Sequence, residues 1–472
     1  MIKTAIFGKV GGLVLVLILL LVGLGQITDL VHERQGQRSQ AVQSVAKSLA
    51  GSQTLLGPLL QMACTEEWTV RTDKIFTNER REFKRYAVPT TLNIGGTNQL
   101  ESRSRGLHAT QVFTLKSQIT AQWQNLESLK GGAEHANSQV KCEPVTMLLS
   151  VSDARGIRLA NVKINGAVQT VRSDTLNPTY QRGIHVRLPE NTDFSTPLEA
   201  QIDLELMGTE RFSIVPLGGA TQINLTSNWP HPSFDGQFLP SERKITDKGF
   251  EASWRVSSLA SSAQQDVMKQ RRLCESGEAI SSEAMADRAA NTVTSAKEQA
   301  SIGCVETLGV AFIDPINTYS LSNRATKYGL LFIALTFVAV GLFEFMKSLR
   351  VHPIQYFLVG AAISIFFLLL VSLSEHLAFA DAYAIASSGC ALLLAYYASH
   401  MLGSWKRGLP FGLGIATLYG LLYVLLQLEQ TALVVGAIAL FIVLASVMSL
   451  TRKVDWYAKL KSGGLSLPQA QQ

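Results

Sequence analysis

The chain has 472 residues, 47% of them apolar and 17% charged, with 42 Lys and Arg against 36 Asp and Glu. Over 31–325 the balance is 31 basic against 30 acidic residues, so the residual +6 belongs mainly to basic groups beside apolar segments. This distribution excludes the nucleic-acid partner that a basic chain invites, because no basic excess runs through the polar portion.

The first apolar run, Val10 to Leu30, follows Lys3 and Lys9 and has the roughly 20 residues that a helix needs to cross a hydrocarbon core. With Gly23-Leu24-Gly25 ahead of Gln26 it also has the form of a cleavable signal. An uncleaved anchor over 1–30 is favoured, because Val42, Val45 and Leu49 carry a helical spacing through a polar stretch to Gly51, which predicts a stalk helix over 31–51.

From 31 to 325 the chain reads as one large inserted domain, mainly antiparallel β. Ile202, Leu204 and Leu206 alternate with Asp203 and Glu205, and the same period-2 pattern recurs in Ile184 to Leu188, in Phe113, Leu115 and Ile119, and in Phe250 to Val256. Turns are expected at Gly95-Gly96, Asp153 to Gly156, Pro232 to Gly236 and Asp247 to Gly249. A polar stretch over about 261–303 breaks the rhythm and reads as a helical or mobile insertion.

Four cysteines, Cys64, Cys142, Cys274 and Cys304, lie in this domain, and four allow three pairings. Cys274 with Cys304, closing the polar insertion, and Cys64 with Cys142 as its companion are the favoured structural disulfides. A metal or redox site is disfavoured, since no CxxC spacing and no suitably placed His accompany them.

No GxSxG, P-loop, HExxH or dinucleotide motif is present, no cofactor is implied, and the chain reads as no enzyme. The most unusual run is Asn228-Trp229-Pro230-His231-Pro232-Ser233-Phe234-Asp235-Gly236. Its stiff backbone can present His231 or Asp235 to a ligand. The favoured reading is structural, with Trp229 and Phe234 pinning the loop to a sheet and Asp235-Gly236 turning the chain.

Five further apolar runs follow within 326–450: Tyr328 to Met346, Ile354 to Ser374, Tyr383 to Leu402, Leu409 to Leu428 and Thr431 to Leu450. Together with the first they make a polytopic helical membrane protein of six transmembrane helices. With the N-terminus inside, Lys3, Lys9, Lys347, Arg350, Lys406, Arg407 and the basic tail over 451–472 all lie in the cytoplasm, while the short outer loops hold Glu375, Asp381 and Glu429; Lys327, which opens the second span, is the exception. The positive-inside rule then places both termini in the cytoplasm and the β domain outside. Tyr328, Tyr356, Tyr383, Trp405, Trp456 and Tyr457 are expected at headgroup level. Glu344 lies well inside a span and is expected to snorkel or pair with Lys347, while Glu375 and His376 close the third span at the outer face.

Several runs resemble the CreD family of bacterial inner-membrane proteins: Leu55 to Leu60, Met207 to Arg211, Leu225 to Arg243, Arg324 to Tyr328, Leu349 to Tyr356, Leu373 to His376, Leu418 to Gln427 and Asp455 to Tyr457. The resemblance implies a Gram-negative inner-membrane protein with a periplasmic domain, linked to cell-envelope integrity and to a two-component regulon responding to carbon source and envelope stress. It supplies no active-site residues. The cysteines and the polar stretch depart from the family pattern.

The expected function is therefore non-enzymatic support of the envelope, with the lipid bilayer and an envelope protein or cell-wall component as partners. A transporter or lipid-handling protein is the first alternative, for which Glu344 and scattered hydroxyls offer few pathway groups. The second is a periplasmic enzyme or sensor built on His231 and Asp235.

Overall fold

The computed structural model describes residues 2–72, 75–105, 108–130, 132–273, 304–312, 318–347, 351–401, 405–428 and 431–452. The chain divides into two units, Ser39–Pro315 and the pair Met1–Arg38 with Ile316–Gln472. The first boundary falls inside one uninterrupted helix, α1 (Ile2–Ser48).

The inserted unit is built from strands β1 (Gln53–Thr72), β2 (Ile75–Ala87), β3 (Thr91–Arg105), β4 (His108–Trp123), β5 (Gln139–Cys142), β6 (Thr146–Val151), β7 (Ile157–Ile164), β8 (Ala167–Gln169) and β9 (Arg172–Ser173). It continues with β10 (Gly183–Arg187), β11 (Leu198–Thr209), β12 (Arg211–Ile214), β13 (Ala220–Ser227), β14 (Ser233–Gly236), β15 (Glu242–Thr246), β16 (Gly249–Ser257), a short α2 (Ala263–Met268) and β17 (Leu308–Ala311). One sheet runs β14-β17-β12-β1-β6-β10-β9, with β2 and β5 also paired to β1; the other runs β15-β16-β13-β3-β4-β11-β7-β8. The ladders β1/β12 and β3/β13 are parallel; the other described ladders are antiparallel.

The two sheets share one apolar core. In β13 every second residue is buried, Thr221, Ile223, Leu225 and Ser227, as the period-2 geometry of a half-buried strand requires. Phe113 of the second sheet meets Phe212 of the first at 5.9 Å between ring centroids. In β6 every residue is buried, and the loop over 174–182 is tied to it where the Ser150 hydroxyl donates to the Arg182 carbonyl at 2.9 Å. There Tyr180 joins the core, and Asn177 Nδ2 donates to Gln61 Oε1 at 3.1 Å.

Two expected turns are strand. Gly95-Gly96 lies inside β3, where a Cβ on Gly96 would come within 2.8 Å of Leu115 Cδ1, so the missing side chain serves packing instead of reversal. Ser233 to Gly236 forms β14, paired to β17. Asp247-Lys248 does join β15 to β16, with Thr246 opposite Gly249. Of the polar stretch, 263–268 is helical, and 274–303 lies outside the described residues.

The other unit contains α1 up to Arg38, α3 (Thr318–Lys327), α4 (Gly329–Lys347), α5 (Pro353–Leu373), α6 (Phe379–Met401), α7 (Trp405–Gln427) and α8 (Ala432–Thr451). Four helices, Gly11–Ser48, Pro353–Leu373, Phe379–Met401 and Gly408–Gln427, are each long and apolar enough to cross a bilayer. Leu321–Lys327 and Gly329–Leu342 form a fifth candidate bent by 42°, and Val434–Ser449 is a shorter apolar helix. Close approach is set by glycine: a Cβ on Gly412 of α7 would lie 2.4 Å from Ala395 Cβ of α6, and one on Gly360 of α5 would lie 2.2 Å from Leu20 Cδ1 of α1. Tyr356 and Tyr383 are buried within the helical unit, and each hydroxyl has an internal acceptor, Glu344 Oε2 at 2.9 Å and the Tyr419 carbonyl at 2.6 Å. Trp456 and Tyr457 lie outside the described residues.

Candidate functional site

The Pro-rich loop and β14 lie at one edge of the first sheet. Opposite residues in a ladder share a face. The row Phe212, Val310, Phe234 across β12, β17 and β14 therefore points to the core, where Phe234 meets Phe250 and Trp254 edge-on at 5.5 and 5.7 Å. The rows Ser213, Gly309, Asp235 and Arg211, Ala311, Ser233 take the opposite face. There Arg211 Nη1 reaches Asp235 Oδ2 at 2.9 Å across β17. Half-burial raises the Asp235 pKa above the ordinary aspartate value, an effect that Arg211 opposes.

Upstream, Trp229 Nε1 donates to the His231 carbonyl at 2.7 Å, closing the loop on itself. Asn228 anchors it to β3, its Oδ1 accepting from the Leu100 N–H at 2.8 Å. The His231 ring is exposed and edge-on to Trp229 at 6.2 Å. Among the described residues no hydrogen bond joins His231 to Asp235, whose ion-pair partner is Arg211. No group of three or more His, Cys, Asp or Glu that could hold a metal occurs among the described residues.

The profile of the family described as inner membrane protein CreD matches residues 5–457. The inner membrane protein CreD of Escherichia coli (strain K12) is 32% identical over 465 residues, covering 97% of this chain and 95% of that protein. The chain belongs to the CreD family. A crystal structure of the M1 zinc metallopeptidase from Deinococcus radiodurans aligns at 12% identity and a TM-score of 0.19, covering 36% of this chain and 38% of the peptidase. A likeness that weak carries no argument about fold or chemistry.

In this CreD-family chain, each of the three runs of the inserted domain that carry the resemblance contributes to the first sheet, while the second and third also reach the other sheet through β11, β13 and β15. Leu55 to Leu60 lies in β1, Met207 to Arg211 ends β11 and opens β12, and Leu225 to Arg243 contains β14. β14, β17, β12 and β1 are consecutive in the sheet, and the Arg211–Asp235 pair joins two of the runs.

In the helical unit, Glu344 accepts from the Tyr356 hydroxyl at 2.9 Å and from the Val351 N–H at 3.3 Å. His352 caps α5 through Nδ1 to the Ile354 N–H at 3.3 Å. Glu375 pairs with Arg34 Nε of α1 at 3.3 Å, and the His376 N–H donates to the Leu373 carbonyl at 3.0 Å. Glu375 and His376 therefore lie at the end of α5, beside the part of α1 that carries Arg34.

A disulfide joins Cys64 to Cys142 on directly opposed positions of β1 and β5. Cys304 is disulfide-bonded, and Cys274 lies outside the described residues.

Two polar clusters escaped the sequence reading. Glu66, two positions beyond Cys64 on β1, is fully buried; its Oε1 accepts from the Ser138 hydroxyl (2.6 Å) and the Glu134 and His135 N–H groups (2.8 and 2.9 Å), and its Oε2 from Arg81 Nη2 (2.7 Å). Trp68 stacks on His135 at 3.8 Å beside it. In the second cluster Asp153 accepts from Arg155 Nη2 at 2.6 Å and from the Gly51 N–H at 3.2 Å, while Arg155 donates to the Lys47 and Ala46 carbonyls at the end of α1. A cation on those carbonyls suits the negative end of a helix dipole. Burial pushes the Asp153 pKa up, and the bonds from Arg155 and Gly51 outweigh it, leaving a net depression. The adjacent Glu66-Glu67 in a strand of apolar residues was the available signal for the first cluster. In the second, Asp153 and Arg155 fall within an expected turn, but Gly51 is 102 residues from Asp153 and nothing local marks that meeting.

Proposed function

We propose that this CreD-family chain is a non-enzymatic inner-membrane protein that supports cell-envelope integrity under stress. In this reading six helices cross the membrane, both termini are cytoplasmic, and the β domain acts in the periplasm by contact with an envelope component or a protein partner. The layout rests on the basic residues that cluster on one set of loops and the acids on the other. The observation that carries the activity is the Arg211–Asp235 pair, which joins two of the family-like runs near one edge of the first sheet, beside the exposed loop around His231. An exposed loop held beside such a pair suits recognition, and the Asp235 carboxylate is neutralised by Arg211.

The test is survival of a deletion strain under detergent and cell-wall-antibiotic challenge, complemented by the whole chain or by residues 1–325. Rescue by both, at equal abundance, assigns the activity to the β domain. Rescue by the whole chain alone overturns that assignment in favour of the helical bundle.

A further inference from the structure

Beside the junction of α1 with the β domain lies a cleft of about 650 Å³, within the size range of small-molecule sites. Its walls come from the residues before β1 (Gly51, Ser52), those after β6 (Ser152, Asp153), the loop before β10, which contributes Arg182, and Arg272 with Leu273.

Arg182 is the group of chemical interest. Its carbonyl accepts from the Val151 N–H at 3.0 Å and the Ser150 hydroxyl at 2.9 Å, so its backbone is tied to β6. Its Nη1 donates to the Ser152 carbonyl at 2.8 Å, which orients the guanidinium. A guanidinium carries five N–H donors. Among the described residues Arg182 pairs with no carboxylate, and the cleft's Asp153 is already engaged by Arg155 at 2.6 Å. The cleft thus holds an oriented cation without a counter-charge, next to the hydroxyls of Ser52 and Ser152. A planar fork of that kind matches an oxyanion, carboxylate or phosphate, through charge-assisted hydrogen bonds.

Gly51, Ser52 and Asp153 line the cleft and are also part of the connection that holds α1. Gly51 donates to Asp153, and Asp153 holds the Arg155 side chain that reaches the Lys47 and Ala46 carbonyls. We propose that the cleft binds the carboxylate or phosphate group of a small polar molecule through Arg182, and that occupancy tightens the attachment of the α1 end to the β domain. The inference stands independently of the envelope reading.

The test uses the full chain purified in detergent, titrated calorimetrically with inorganic phosphate and, separately, with succinate. Saturable binding of one or both is expected, with the responding probe distinguishing phosphate from carboxylate ligands. Arg182→Gln weakens it tenfold or more, Arg182→Lys retains part of it, and Arg187→Gln, an exposed cation outside the cleft, leaves it unchanged. Absence of saturable binding, or equal losses in Arg182→Gln and Arg187→Gln, overturns the proposal. If Arg182→Gln fails to fold, Ser52→Trp fills the cleft instead, and binding that survives it overturns the proposal. Hydrogen exchange over 47–54 slows on binding in the parent chain; binding without that protection overturns the coupling to α1.

Discussion

Glu66 has its carboxylate surrounded by donors. The hydrogen bonds from the Ser138 hydroxyl and the His135 N–H hold its pKa down to about 2 against the opposing effect of burial, with the Glu134 N–H and Arg81 adding to the depression. The unfolded value is about 4.3. A folded pKa below the unfolded one gives stability that is complete above pH ~4.3 and is lost as the pH falls toward 2. Thermal unfolding of the parent chain and Glu66→Gln, compared between pH 6 and 3, is expected to show the parent losing its advantage through the lower part of that range. A constant difference across it would remove the carboxylate from the account. For Arg211→Ala, the half-buried Asp235 loses its counter-charge, and a cost of about 1–2 kcal/mol is expected from stranding a partly buried acid. A double-mutant cycle with Asp235→Asn measures how much of that cost is the pair.

At the scale of elements, the disulfide between β1 and β5 closes a loop of 78 residues, for which chain entropy gives up to about 4 kcal/mol. Cys64→Ser with Cys142→Ser is expected to lower the denaturant midpoint accordingly, and reductant should do the same to the parent chain. The β15–β16 hairpin depends on Gly249, whose φ of +142° is unfavourable for other residues and whose Cβ would lie 1.9 Å from the Ser227 carbonyl. Gly249→Ala is expected to cost about 2–3 kcal/mol, measured by the same unfolding curve. In α6 and α7 the close approach depends on Gly412; Gly412→Leu is expected to separate the two helices and reduce the amount of folded protein recovered in detergent.

At the scale of the whole molecule, the charge asymmetry makes a topological prediction. Ser241→Cys, on an exposed position of the β domain, is expected to react with an impermeant maleimide in spheroplasts, whereas Lys406→Cys reacts only after permeabilisation. The reverse pattern would invert the proposed orientation. Much of the fold was legible in the chain. Strands β4, β11 and β16 were visible because a half-buried strand must alternate, whereas β10 alternates in sequence but buries His185 as well as Ile184 and Val186; the apolar runs were visible because hydrocarbon tolerates little else. Gly95-Gly96 misled because glycine marks both turns and tight packing, and only the neighbouring Leu115 distinguishes them. The Trp229 to Asp235 run was recognisable as unusual, but its partner Arg211 comes from a different strand and has no local signature. What the sequence by itself determined were properties set by each segment's own solvent: apolar length, alternation, the placement of basic residues, and the runs that mark the CreD family. What only the tertiary structure decided were the meetings of distant groups: Arg211 with Asp235, Arg155 with the end of α1, Glu66 with its donors, and Arg182 in its cleft. Periodicity reports which face of a segment leaves water, whereas these contacts depend on which segments become neighbours, and that is a property of the folded chain.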